Sequence, residues 1–70
     1  MDRIPVSSSN IASIGYDENQ MVLEVEFLNG RIYHYEGVPE YVFKDFLNSG
    51  SKGSFFHSNI RNTYPYSRVL

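Results

Sequence analysis

Few residues in this chain are equipped to do chemistry. His34 and His57 are the only histidines and there is no cysteine. Neither histidine has a carboxylate at metal-ligand spacing, so no metal centre is expected. Serines are plentiful, but none sits in the Gly-x-Ser-x-Gly turn that exposes a nucleophile. Glu24 and Glu26 share one face of an extended segment and could form a carboxylate pair, yet alternating glutamates on a strand are ordinarily a solvated face. With no nucleophile, base or metal assembled, the sequence predicts a non-enzymatic protein without a cofactor.

Two constellations suit binding instead. Ser51-Lys52-Gly53-Ser54 reads as a glycine-containing loop leading into a helix. Backbone N–H groups at such a helix start, with Lys52 as a point charge, can hold a phosphate or another anion. The second constellation is a tyrosine set, Tyr33 and Tyr35 on one strand face and Tyr64 and Tyr66 flanking Pro65, with Arg61 and Arg68 near in sequence. Rings of this kind beside arginines are the ingredients of a surface on which bases stack. Each set also has a plainer use, as a capped inter-helix loop and as the rim of a small aromatic core.

The elements that must position these residues are legible from periodicity. Residues 11–16 alternate as a slightly irregular strand with a weak point at Gly15, and Asp17–Gln20 has turn composition. From Met21 to Leu28, Met21, Leu23, Val25 and Phe27 fall on one face against Glu24 and Glu26 on the other. Asn29-Gly30 then turns the chain into a third strand, Arg31–Glu36. A two-residue turn would pair Phe27 with Ile32 and put Tyr33 and Tyr35 on the acidic face. A three-residue loop with Gly30 in a bulge pairs Phe27 with Arg31 and puts both tyrosines with Leu23 and Val25. The bulged register is preferred because it takes His34 off the core face.

After the strands come helices. Pro39 at a first helical position, the pairs Val42/Phe46 and Phe43/Leu47, and the stop at Asn48-Ser49-Gly50 define an amphipathic helix that must cross the apolar face of the sheet. Ser54 is placed to cap a shorter helix carrying Phe56 and Ile60, which breaks at Tyr64-Pro65-Tyr66 and leaves Ser67–Leu70 as an extended tail. The predicted fold class is α+β: a three-stranded antiparallel meander, one helix packed across it and a second short helix near the C-terminus.

Composition bounds the rest. Seventy residues make one domain, here 1–70 with a core from about 4 to 69, and eleven aromatics (five Phe, six Tyr, no Trp) supply the apolar area so short a chain needs. No segment reads as a secretory signal or membrane span, so a cytoplasmic protein without membrane contact is expected. The net charge is −2, too negative to grip nucleic acid by bulk electrostatics. The charge is uneven: residues 1–36 carry six carboxylates against two arginines, while residues 37–70 carry four cations against two carboxylates. The basic half reads either as an ordinary solvated surface or as a local anion-binding face that suits a nucleotide or a short single strand.

The order of these motifs resembles the KTSC domain family. Tyr33-His34-Tyr35 after Phe27-Leu28-Asn29-Gly30 looks like that family's hallmark. Val6–Ile11 followed by Gly15-Tyr16-Asp17 resembles its opening, and Gly37-Val38-Pro39 its helix start. Ser51–Phe56 with Asn59, Ile60, Arg61 and Tyr64-Pro65-Tyr66 resembles its closing segment. The likeness runs from about Ile4 to Val69. The family is named for the C-terminus of some lysyl-tRNA synthetases and also occurs as stand-alone bacterial and phage proteins. The resemblance therefore implies a stand-alone domain with a suggested affinity for RNA. By matching positions it points to Tyr33, Tyr35, Ser51, Lys52, Gly53, Asn59, Arg61, Tyr64 and Tyr66 as ligand-binding. A module for RNA or a small phosphorylated nucleotide is the leading expectation. Its rivals are a protein-interaction module, such as a small phage or mobile-element inhibitor of a host protein, and a homo-oligomeric sponge for a signalling nucleotide.

Overall fold

The Asn29-Gly30 turn sets the face of every residue near it. In the computed structural model, which describes residues 1–70, the Phe27 N–H donates to the Arg31 carbonyl and the Gly30 N–H to the Phe27 carbonyl, both at 2.9 Å. Gly30 has φ +88°, a conformation that costs glycine nothing and strains a side chain. The loop is therefore three residues long. The strands it joins, β3 (Val22–Phe27) and β4 (Ile32–Glu36), place Leu23 opposite Tyr35 and Val25 opposite Tyr33. This is the bulged register. Both tyrosines lie on the apolar face, and His34 lies opposite Glu24 on the other.

Before β3 runs β2 (Ile11–Asp17), whose register slips between Ile11 and Ser13. That bulge brings Ile11 into phase with Ile14, and both are fully buried. Met21, expected as the first apolar residue of the strand, is instead a turn residue at φ +57° with its side chain exposed. Its carbonyl accepts the Val38 N–H at 2.9 Å.

The sheet has five strands, not three, in the order β1-β2-β3-β4-β5 and antiparallel throughout. The additions are the edges, β1 (Arg3–Pro5) beside β2 and β5 (Tyr66–Arg68) beside β4. Three residues are too few to show an alternating pattern, and a proline is tolerated at an edge. The extended tail is paired to β4, because Val69 N–H donates to the Ile32 carbonyl at 2.8 Å and Ile32 N–H to that of Leu70 at 3.2 Å. Gly15 is explained by β1: a Cβ there would lie 2.7 Å from the Asp2 carbonyl oxygen.

Two helices cover the apolar face. In α1 (Glu40–Asn48) Val42 and Phe46 are buried, and Phe43 stacks on Tyr16 with ring centroids 5.1 Å apart. Pro39, expected as the first helical residue, precedes the helix with ψ 151°. In α2 (Lys52–Asn59) the cap is Ser51 rather than Ser54, and its Oγ accepts the Ser54 N–H at 3.3 Å. Lys52, Gly53 and Ser54 are thus the first turn of a helix, not a loop before one. Phe46, Ile11, Ile14, Leu23, Ile60, Val25 and Val38 are fully buried, each contributing about 1.5–3 kcal/mol of transfer free energy if Leu-like in size.

The opposite face of the sheet stays open to solvent and is polar. Arg3 Nη1 lies 3.1 Å from Glu24, whose other oxygen is 2.9 Å from His34 Nε2. Ser13 Oγ donates to Glu26 at 2.7 Å. Burial raises the Glu24 pKa, but the hydrogen bonds and charges of His34 and Arg3 outweigh it and hold the carboxyl below its ordinary value. Glu24 and Glu26 are therefore partnered ions, not the freely solvated pair that alternation alone suggests.

Candidate ligand-binding cleft

Alternation along β4 sends Tyr33 and Tyr35 to the helix-covered side, where Tyr35 is buried and Tyr33 only half-buried. Beyond β4, β5 sets Tyr66 opposite Tyr35. Tyr66 lies 5.7 Å, centroid to centroid, from each of the other two rings. Phe27, at the end of β3, meets Tyr33 edge-on at 5.7 Å, and Phe56 of α2 sits beneath, 5.4 Å from Phe27 and 5.5 Å from Tyr35. Five rings from four elements thus make one continuous floor. Their tilted and edge-on contacts are the geometry that ring quadrupoles favour.

Over this floor opens a cleft of about 450 Å³, within the range of small-molecule sites. Arg31, at the entry to β4, and Arg61, just past α2, stand on its rim with Asn10, Asn29 and Asn62, and no carboxylate lines it. Both arginines are exposed. Arg31 has no partner for its guanidinium, and Arg61 Nη1 has only a long contact of 3.4 Å to His57 Nδ1. Tyr66 is 61% exposed while Tyr35 is 4%, so Tyr66 offers a ring face and Tyr35 forms the base. Burial, then the neighbouring Tyr33 and Tyr66, push the Tyr35 phenol up to about 12, against a lowering by Arg61. At neutral pH it is an uncharged hydroxyl able to donate.

Of the nine candidate residues, Tyr33, Tyr35, Arg61 and Tyr66 come together here. Ser51, Lys52 and Gly53 line a separate polar hollow of about 460 Å³ with Ser7–Ser9 and His57, reaching the cleft only through the shared Asn10. Their polar groups are largely used within the fold: Lys52 Nζ donates to the Ser49 carbonyl at 2.7 Å, and Ser51 caps α2. Asn59 and Tyr64 line a third depression, where Asn59 Nδ2 donates to the Phe55 carbonyl at 3.2 Å.

Phe27, Phe56, Arg31 and the three asparagines were not singled out from sequence. Arg31 was within reach, since the bulged register pairs it with Phe27. Asn10 and Asn62 carry no local signal, because only the fold brings them to the rim.

Against known proteins, the KTSC domain profile matches residues 7–64. The chain is 40% identical over 70 residues to an uncharacterized protein of Stutzerimonas stutzeri, covering 99% of both. It is 34% identical over 61 residues to a lysine–tRNA ligase of Nostoc sp., covering 87% of this chain but only 11% of the ligase. The crystal structure of a KTSC domain protein from Yersinia pestis superposes with a TM-score of 0.93 at 41% identity, over 99% of this chain and 97% of that one. No helix of the fold is long and apolar enough to cross a membrane.

Proposed function

The chain belongs to the KTSC domain family, and from that premise we propose that it is a non-enzymatic binding module that takes a base of RNA, or of a small phosphorylated nucleotide, into its aromatic cleft. One observation carries this reading: on a chain of net charge −2, the cleft gathers five aromatic rings and two arginines and excludes every carboxylate. A planar base laid on Tyr66 and Tyr33 gains about 1–3 kcal/mol from stacking. Arg61 and Arg31 supply charge-assisted donors to phosphate oxygens, and the neutral Tyr35 hydroxyl supplies a further donor at the floor. The likeness to a region of lysine–tRNA ligases supports RNA as one source of the base.

Equilibrium dialysis of labelled 5′-phosphorylated RNA hexamers against the native protein and an Arg31→Ala/Arg61→Ala variant tests the reading. Both side chains are exposed, so the variant should fold normally. It should bind at least about tenfold more weakly, since hydrogen bonds to charged groups are each worth about 1.5–3 kcal/mol. Binding unchanged in the variant would remove the cleft from the function.

A further inference from the structure

The cleft's charge and shape, taken with the proposed function on which this inference rests, narrow the ligand. We infer that the cleft holds a single nucleotide unit with a terminal phosphate, free or at the end of a chain, rather than the interior of a strand. Proteins that hold single strands line a groove with cations that follow the backbone and offer separate rings to successive bases. Neither feature is present. The five rings touch one another at 5.4–6.4 Å around one hollow and form one platform.

The cations do not continue beyond the rim either. Arg3 is paired with Glu24 and Glu26 on the opposite face of the sheet. Lys52 is turned onto the Ser49 carbonyl, and Lys44 pairs with Glu40 on α1. Arg68, opposite Tyr33, is the one further cation on this face, and its Nε is held by the Leu70 carbonyl at 3.0 Å. A phosphodiester leaving the cleft on this face meets that one cation and no row of charges beyond it.

The rim itself is rich in donors. Besides the two guanidinium groups, Asn29 Oδ1 is occupied by the Arg31 N–H at 3.0 Å and Asn10 Oδ1 by Ser8 Oγ at 3.1 Å. Their amide N–H groups have no partner within the protein. A rim that carries these donors and no carboxylate suits a terminal phosphate, with its extra charge and acceptor oxygen, better than a diester.

Calorimetric titration of the native protein with three ligand series decides the matter: the four ribonucleosides, their 5′-monophosphates, and 5′-phosphorylated homohexamers. The tightest monophosphate should bind at least about tenfold more tightly than its nucleoside, because charged hydrogen bonds are lost without the phosphate. Its hexamer should bind within about threefold of it, because added phosphates find no line of cations to follow, only Arg68. A hexamer binding far more tightly than the monophosphate would overturn the single-unit inference while leaving a base-binding cleft intact. A nucleoside equal to its monophosphate would overturn the terminal-phosphate part. Heat from none of the three would overturn this inference and the proposed function together.

Discussion

Replacing Tyr66 with alanine separates binding from folding. Tyr66 is 61% exposed and touches the Tyr33 and Tyr35 rings at 5.7 Å each. Two fifths of the ring is therefore buried, worth about 1 kcal/mol of the roughly 1.5–3 kcal/mol that a fully buried large side chain contributes. Adding two ring-pair contacts, each at the low end of about 0.5–1.5 kcal/mol for so exposed a ring, brings the folding cost to about 2 kcal/mol. A 70-residue chain has a total stability of about 3.5–10 kcal/mol at the usual value per residue, so the variant stays folded, with a Tm lower by roughly 8–16 °C. Binding should suffer while the fold survives. Loss of a stacking platform costs about 1–3 kcal/mol, or about 5- to 150-fold in Kd. Phe56→Ala is the contrast: Phe56 is buried beneath Phe27 and Tyr35, and its removal should cost about 3–5 kcal/mol of stability. Circular dichroism reads the first quantity and titration with nucleoside 5′-monophosphates the second. A folded Tyr66→Ala protein that binds as tightly as the native chain would refute the stacking argument.

Three further outcomes are expected from the surrounding structure. Gly15→Ala would set a Cβ 2.7 Å from the Asp2 carbonyl oxygen and push β1 off the sheet. Thermal denaturation should show a loss of about 1–3 kcal/mol, typical of overpacking, and an unchanged Tm would contradict the close approach. Glu24 has a folded-state pKa below its ordinary 4.5, so its ionised form stabilises the fold above that pH and the contribution is lost as pH falls through the lowered value. Urea midpoints of native and Glu24→Gln proteins should therefore differ at pH 7 and converge in acid; a gap that persists in acid would contradict the assignment. Tyr35 has the opposite sign: its folded pKa near 12 exceeds the ordinary 10.0, so stability is full below 10.0 and falls as pH rises toward 12. Tyr35→Phe should flatten that alkaline decline, and an identical pH profile would contradict it.

The sequence made the central sheet legible because β3 alternates cleanly and Asn29-Gly30 admits only two registers. Moving His34 off the core face was enough to choose between them. The edge strands were invisible for a physical reason: Arg3–Pro5 and Tyr66–Arg68 are three residues each and exposed, so neither burial nor alternation marks them. One ring of the site depended on that missing edge, since β5 is what carries Tyr66 to Tyr33 and Tyr35. The family likeness grouped Lys52, Gly53, Asn59 and Tyr64 with the tyrosines by their order along the chain. The fold separates them, because α2 turns its capped start toward Ser7–Ser9 and sends Phe56 under the aromatic floor. Spacing in sequence does not report which side of a short helix faces a cleft.

The most direct test of the cleft is an amide-resolved NMR titration of the native protein with nucleoside 5′-monophosphates. Shifts gathered on Phe27, Arg31, Tyr33, Tyr35, Arg61 and Tyr66, with the outer face around Glu24 and His34 silent, are the predicted result. A flat response at millimolar ligand, or shifts confined to Ser51–Ser54 or to the outer face, would contradict it.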